Sequence, residues 1–209
     1  MADYIPEFYD PLGTPILTSA ICLELERQPL IGLGPEPARF EGSGLYAIYY
    51  RGDSLPLYAP LTGYDIPVYA GQALSHNSAT GRTTGRPDPL WHRVRDHRRS
   101  IASADLPLDE FAVRLLRLPD VHADLGENGL RVFYQPVWNS VLTGFGNHEQ
   151  GPSTRQGQRT KWDAVHPGRG RTYGADNRDP DALAREAAAH IAGQLARYNQ
   201  APWRQGPRG

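Results

Sequence analysis

The chain has 209 residues, of which 39% are hydrophobic and 22% charged, with a net charge of -1. These values are ordinary for a soluble globular protein, and they predict a single domain over residues 1–209. No apolar run has membrane-spanning length, and the N-terminus lacks the basic and apolar regions of a signal peptide. Cys22 is the only cysteine, which excludes an internal disulfide and a thiolate zinc site, so we expect a cytoplasmic protein without membrane contact.

The first part of the chain predicts a helix followed by two strands. Apolar residues at helical spacing predict a helix over 17–27, within an N-terminal extension of residues 1–43. Aromatic and β-branched residues predict a strand over 44–50. A loop rich in proline and glycine then leads to a second predicted strand over 66–71.

The middle of the chain predicts a helix, a strand and another helix. Proline opens a helix over 89–104, whose apolar positions share one face. A third strand is predicted over 111–116. The pattern over 120–135 indicates a helix, although Gly126 and Gly129 lower its helical propensity.

Residues 140–209 predict loops followed by a C-terminal helix. The tract to about Asp179 is too polar to form a core by itself, whereas Asp179-Pro180 is a typical helix start. An apolar stripe from Leu183 to Tyr198 follows; it covers the sheet or forms a dimer contact. The element order predicts an α+β fold: a small three-stranded antiparallel sheet flanked by helices, with loop insertions.

Polar residues stand beside short patterns that suit hydrolytic chemistry. They are Tyr46 in Gly44-Leu45-Tyr46, Tyr69 in Val68-Tyr69-Ala70-Gly71, Arg93 and His97 four residues apart, Glu127, and Asn139 in Pro136-Val137-Trp138-Asn139. Phenols, a guanidinium, an imidazole and a carboxylate are what a one-metal nuclease needs to hydrolyse a phosphodiester. Each short pattern is common, so the combination and its order carry the information.

In order and spacing, these motifs resemble the GIY-YIG nuclease superfamily, and above all its small type II restriction endonuclease branch, which cuts the palindrome CCGCGG. The resemblance covers residues 44–139 as the nuclease core. It departs from the usual pattern at Ala70, where isoleucine is common, and in the glycines of the Glu127 helix. Glu149 is the alternative position for the metal-binding carboxylate.

The resemblance implies a role for each motif residue. By resemblance, Glu127 holds one Mg²⁺, for which Mn²⁺ can substitute, and Arg93 binds the non-bridging phosphate oxygens. Tyr46 serves as the general base or orients it, and His97 accepts or relays the proton of Tyr46. Tyr69 positions the water or the phosphate, and Asn139 hydrogen-bonds within the site and fixes strand to helix. Which tyrosine or histidine is the base stays open.

Basic residues cluster outside the core motifs and are candidates for contact with double-stranded DNA. The candidates are Arg82, Arg86, Arg98, Arg155, Arg159, Lys161 and Arg169. Arginine can bind phosphate or the O6/N7 edge of guanine, and Asp163 is suited to accept from cytosine N4. Alternatively, these arginines form ordinary surface salt bridges, and a GC-rich genome explains most of the arginine excess.

The function expected from this resemblance is site-specific cleavage of a GC-rich palindrome such as CCGCGG. A palindrome read by a small chain implies a homodimer, and the host needs a cognate DNA methyltransferase to protect its own sites. One alternative is a structure-specific repair or recombination nuclease, although about seventy residues after Asn139 leave little room for a separate DNA-binding domain. Another is a regulator that binds DNA without cutting it, although such a protein would be expected to lose Arg93 or Glu127.

Overall fold

The computed structural model describes residues 10, 13–76, 80–83, 85–146, 159–169 and 178–204. Helices in these ranges are α1 (Thr14–Arg27), α2 (Pro89–Ser103), α3 (Asp120–Tyr134), α4 (Val137–Ser140), α5 (Lys161–Val165) and α6 (Pro180–Arg197). Strands are β1 (Ile31–Gly32), β2 (Gly44–Tyr50), β3 (Tyr69–Ala73) and β4 (Phe111–Arg117). The predicted α+β class is confirmed.

The described strands form one antiparallel sheet in the order β1-β4-β2-β3. Every residue of β2 is buried, as its central position requires. The prediction of three strands was wrong in number, because the two-residue β1 pairs with β4 beyond them. Such a short and largely exposed strand has no alternation from which it could be predicted.

Strand β3 begins three residues later than predicted, although its type is correct. Val68 still donates its backbone N–H to the carbonyl of Ile48. Pro67 has no N–H to donate, so the regular ladder begins only at Tyr69, which pairs with Ile48.

Helices cover both faces of the sheet. Helix α2 packs on the face that carries Tyr46, while α1 and α3 cover the face that carries Leu45, since neighbouring side chains on a strand point in opposite directions. The two glycines of α3 permit this packing. A Cβ at Gly126 would lie 2.6 Å from Leu45 Cδ2, and a Cβ at Gly129 would lie 2.2 Å from Thr18 Cγ2. Close packing therefore offsets their low helical propensity.

Helix α6 starts where the sequence predicts and packs into the core. The side chain of Asp179 accepts from the backbone N–H groups of Asp181 at 2.9 Å and Ala182 at 3.0 Å, which caps the helix. The predicted apolar stripe is buried at Leu183, Ala187 and Ile191, against α4 and α5. At these positions the stripe packs on other helices, and the predicted alternatives of covering the sheet or forming a dimer contact stay predictions.

A buried carboxylate ties the two ends of the described chain together. Glu26 on α1 accepts hydrogen bonds from Tyr134 Oη at 2.5 Å and from Trp203 Nε1 at 2.9 Å. Arg204 Nη2 lies 2.9 Å from its second oxygen. Helices α1 and α3 and the C-terminal segment are thereby joined on the face of the sheet away from Tyr46.

Among the helices that the structure describes, none combines the length and the apolar character that a membrane span requires.

Candidate active site

Tyr46 and His97 form a buried hydroxyl–imidazole pair. Tyr46 Oη lies 2.6 Å from His97 Nε2. Tyr46 is 1% exposed to solvent and His97 is 3% exposed. Burial raises the pKa of the Tyr46 phenol well above its ordinary value; Tyr69 and Glu127 add to the rise, and Arg93 opposes it. An isolated phenolate is therefore disfavoured at this position.

Tyr69 stands beside this pair and lines an open cavity. Tyr46 pairs with Gly71 and Ile48 pairs with Tyr69, so the two tyrosines are diagonal neighbours on one face, with ring centroids 6.1 Å apart. The cavity, of about 480 Å³, lies at the β3 edge of the sheet. Burial raises the pKa of Tyr69, and the negative charge of Glu127 raises it further.

Gly71 allows the two tyrosines to approach each other. A Cβ at this position would lie 2.4 Å from Tyr46 Oη and 3.1 Å from Tyr69 Cε1. Any side chain at Gly71 would therefore displace one of the phenols. The neighbouring Ala70, the departure from the usual motif, is fully buried and occupies a packing position.

Glu127 projects from α3 into the same cavity. Its side chain is 17% exposed and pairs with Arg131 one helical turn later, at 3.5 Å. Burial raises the pKa of the Glu127 carboxyl and Asp124 adds to the rise, while Arg131 and Arg93 oppose it. Because β3 is an edge strand, a residue on α3 and a residue on the opposite face of the sheet can line one cavity.

Arg93 completes the group from α2. Its positive charge lowers the pKa values of Tyr46, Tyr69 and Glu127, so it lies within electrostatic reach of all three. Arg93 also lines a second cavity of about 250 Å³, together with Arg86. The structure thus brings two phenols, a guanidinium, an imidazole and a carboxylate to one edge of the sheet.

Asn139 holds α4 to the strand that carries Tyr69. Its Oδ1 accepts from the backbone N–H of Ala70 at 2.8 Å, and its Nδ2 donates to the Ala70 carbonyl at 2.9 Å. This two-point contact fixes the backbone next to Tyr69. Asn139 also lines the cavity of Glu127.

A family model described as the Eco29kI GIY-YIG domain matches residues 38–196, about three quarters of the chain. The chain belongs to the Eco29kI GIY-YIG family. The resemblance inferred from the motifs is thereby confirmed, and the antiparallel sheet flanked by helices is consistent with the fold of this Eco29kI-type domain. Membership supports a GIY-YIG restriction endonuclease, a class of enzyme that binds DNA. A search of curated proteins found no significant match.

Two of the predicted DNA-binding residues of this Eco29kI-type domain, Arg86 and Lys161, line the cavities of the site. Arg82 and Arg86 are exposed, and Arg86 lies in the cavity beside Arg93. Lys161 lines the cavity of Glu127. The backbone carbonyl of Arg159 accepts from Arg178 Nε at 2.7 Å. Arg155 and the alternative carboxylate Glu149 lie outside the described residues.

The structure corrects one predicted DNA contact, Arg169, and gives a second, Arg98, partners inside the protein while its side chain stays 24% exposed. Arg98 donates to the backbone carbonyls of Leu33 at 2.8 Å and Gly34 at 2.6 Å, so its guanidinium anchors the segment after β1. Arg169 has a 6% exposed side chain that pairs with Asp163, which is 2% exposed. Their buried contacts leave neither Arg169 nor Asp163 a surface to offer to DNA. The sequence shows that these residues are charged but not that they are buried, and burial determines whether they can contact DNA.

Three residues near the site were not predicted. Arg131 and Arg178 line the cavity of Glu127, and Phe145 stacks on His97 with ring centroids 4.7 Å apart. The four-residue spacing of Glu127 and Arg131 is a signal that sequence reasoning could have used. Phe145 lies between two glycines in a loop-like tract, where no periodicity indicates a partner.

The donor set suits a magnesium ion. No group of three or more histidine, cysteine, aspartate or glutamate side chains is arranged to hold a metal within the described part of the chain. Mg²⁺ binds through one or two carboxylates and keeps several waters, so Glu127 on a cavity of about 480 Å³ fits such an ion. A transition metal would prefer nitrogen or sulfur ligands.

Proposed function

We propose that this protein is a Mg²⁺-dependent type II endonuclease that hydrolyses both strands of DNA at a GC-rich palindrome, with CCGCGG as the first candidate. The convergence of Tyr46, Tyr69, Arg93 and Glu127 at one edge of the sheet carries this proposal. Family membership supports the general class of reaction. The choice of CCGCGG as the candidate sequence rests on the resemblance of the motifs to the restriction endonuclease branch.

The Tyr46–His97 pair would take up the proton of the attacking water. Because burial raises the pKa of Tyr46, its phenol does not ionise alone at neutral pH. With His97 Nε2 2.6 Å away, Tyr46 can pass its own proton to the imidazole while it accepts one from the water. This transfer avoids a buried phenolate.

Arg93 and Tyr69 would bind the scissile phosphate. A guanidinium offers paired N–H donors that match the non-bridging oxygens, and it stabilises the extra negative charge of the transition state. Tyr69 is the phenol that lines the open cavity, so its hydroxyl would position the phosphate or the water. Asn139 keeps the backbone of this strand in place.

Glu127 would hold the metal ion through its carboxylate. When bound, Mg²⁺ polarises the phosphate and supplies an acidic water for the departing 3′ oxygen. Glu127 must be ionised to bind a cation. Since burial raises the pKa of its carboxyl, the metal site should be lost on acidification at a higher pH than an ordinary glutamate would allow.

The cations around the site indicate a path for the DNA strand. Arg131, Lys161 and Arg178 line the cavity of Glu127, and Arg86 lines the second cavity together with Arg93. A strand whose scissile phosphate meets Arg93 would place its neighbouring phosphates in these two cavities. Such contacts position the backbone and leave base recognition to other residues.

Cleavage of a palindrome would be the work of a homodimer with one active site per strand. A cognate methyltransferase in the same host would protect the host's own sites, and both proteins would act in the cytoplasm. These partners follow from the proposed reaction.

The proposal is tested by incubating the purified protein with unmethylated plasmid and Mg²⁺, and by sequencing the DNA ends. Discrete fragments whose ends share one palindrome are expected, and Glu127→Gln should bind DNA without cutting it. Nicking that follows DNA structure would favour a repair nuclease, and binding without cleavage would favour a regulator. Either result would overturn the proposal.

A further inference from the structure

We propose that Arg169 and Asp163 form a buried clamp that presses Phe145 against His97 and so positions the imidazole for proton transfer. Arg169, Asp163 and Phe145 are then positioning residues and have no contact with DNA. This inference rests on the proposed nuclease function, because it assigns His97 a part in the reaction.

The clamp begins with a two-point ion pair. Arg169 Nε donates to Asp163 Oδ1 at 2.8 Å, and Arg169 Nη2 donates to Oδ2 at 3.0 Å. The remaining donors reach the segment that carries Phe145: Nη1 binds the Phe145 carbonyl at 2.8 Å, and Nη2 binds the Gly144 carbonyl at 3.1 Å. One guanidinium therefore fixes two successive peptide units.

The surroundings hold the clamp itself in place. Thr160 Oγ1 donates to Asp163 Oδ2 at 2.6 Å, and the backbone N–H of Asp163 donates to Thr160 Oγ1 at 3.1 Å. The guanidinium of Arg169 lies over the ring of Trp162, 4.5 Å from its centroid. Such a pair, with its hydrogen bonds satisfied and its fork seated on a ring, has little rotational freedom.

Phe145 links the clamp to the active site through its ring contacts. Its ring stacks on the imidazole of His97 at 4.7 Å with an angle of 20° between the planes, and it meets Tyr69 edge-on at 5.0 Å. A Cβ at the next residue, Gly146, would lie 2.3 Å from Tyr69 Oη. Residues 144–146 therefore form the wall against which both side chains rest.

The wall contributes to the orientation of the imidazole. His97 contacts Phe145 on its face, Tyr69 at 5.1 Å and Tyr46 at 5.3 Å between ring centroids. If Phe145 were lost, the ring could rotate and move Nε2 away from Tyr46 Oη. A displacement of about 1 Å in such a group can cost about 10²-fold in rate.

Two pairs of matched variants separate positioning from general stability. Phe145→Leu is compared with Phe111→Leu, since both rings are almost fully buried among aromatic side chains. Arg169→Lys is compared with Arg204→Lys, since Arg204 is also paired with a buried carboxylate and lies over an aromatic ring, on the other side of the sheet. All four variants should lose stability.

The measurements are single-turnover cleavage with Mg²⁺, DNA affinity in Ca²⁺, and the imidazole nitrogen NMR signals of His97. Phe145→Leu and Arg169→Lys should slow cleavage about 10- to 100-fold with DNA affinity within about twofold of wild type. Their His97 signals should show exchange between ring orientations or tautomers. Phe111→Leu and Arg204→Lys should retain both the wild-type rate and the wild-type His97 signals.

Equal losses of rate in the test and control variants would show a purely structural role and overturn the inference. Wild-type cleavage and unchanged His97 signals in Phe145→Leu would do the same. If the wild-type protein cut no DNA, the proposed function would fail. The His97 signals would then still decide whether the clamp holds the imidazole.

Discussion

Glu26 and Glu127 are helical glutamates in opposite situations. Glu26 is surrounded by donors, namely the Tyr134 hydroxyl at 2.5 Å, the Trp203 indole at 2.9 Å and the Arg204 guanidinium at 2.9 Å. Glu127 pairs with Arg131 at 3.5 Å and borders an open cavity. The first carboxylate has its oxygens occupied, whereas the second keeps room for a further ligand.

The difference shows how surroundings decide what a carboxylate does. Burying a charge costs free energy unless partners compensate for it, and Glu26 has those partners. Around Glu127, burial raises the pKa of the carboxyl although Arg131, Gln72 and Arg93 oppose the rise. A bound cation would provide the missing compensation. An under-compensated carboxylate on a cavity is therefore a candidate ligand, and a saturated one is a structural link.

The largest expected effect is on cleavage. Glu127→Gln should slow Mg²⁺-dependent cleavage by about 10³-fold or more, because an amide is a poor ligand for Mg²⁺ and the transition-state charge is no longer stabilised. Glu26→Gln should cut at nearly the wild-type rate at a temperature where it is folded. Single-turnover assays on the same duplex measure both. Near-wild-type cleavage by Glu127→Gln would move the metal ligand elsewhere.

The next largest effect is on stability, and it falls on the other glutamate. Glu26→Gln should lower the free energy of unfolding by about 2 kcal/mol, because it removes the closer of two carboxylates that pair with the partly buried Arg204 guanidinium and leaves it with Asp65, at 3.8 Å. Denaturant titration followed by fluorescence measures the change. An unchanged midpoint would mean that Glu26 contributes little to joining the chain ends.

A smaller effect is expected on DNA affinity. Lys161→Gln removes a cation from the cavity of Glu127, so binding should weaken about equally for all sequences, and the slope of log affinity against log salt should fall by about 0.9. Titrations of labelled duplex at several salt concentrations give this slope. Arg27→Gln serves as the control, because it also removes one exposed cation, but from helix α1 on the other face of the sheet. An unchanged slope for Lys161→Gln would place the DNA strand elsewhere.

The smallest effect is a gain in stability. A carboxyl whose pKa is raised in the folded protein destabilises the fold when it is ionised, so Glu127→Gln should raise the melting temperature by about 1–3 °C at pH 7–8. The gain should be full above the folded pKa, shrink as the pH falls through it, and vanish below the ordinary glutamate pKa. Calorimetry from pH 4 to pH 8 tests this. A loss of stability at pH 8 would contradict it.

The sequence predicted the main elements because their patterns are local. Strand β2 has its predicted bounds, and both glycines of α3 were identified, although only the structure shows that they admit Leu45 and Thr18. Strand β1 was missed because two residues carry no periodicity. The start of strand β3 was predicted three residues too early, because Pro67 has no N–H group and the regular pairing with β2 begins only at Tyr69.

The order of the motifs was enough to locate the candidate site from the sequence. The residues that pack around the site residues and hold them in place could not be predicted in this way. Arg169 was assigned to DNA because sequence shows its charge and not the buried Asp163 beside it. Phe145 was missed because its partner His97 is distant in the chain and no short pattern links them. Glu26 and Glu127 look alike in a helical pattern, and only three-dimensional contacts separate them.

The most direct test of a shared phosphate site is a crystal structure of Glu127→Gln bound to its DNA duplex with Mg²⁺ or Ca²⁺. One backbone phosphate should lie within hydrogen-bonding distance of both Arg93 and Tyr69, next to the side chain at position 127. The neighbouring phosphates should lie in the cavities that contain Arg86 and Lys161. A duplex bound elsewhere, with no phosphate shared by Arg93 and Tyr69, would contradict the proposed active site.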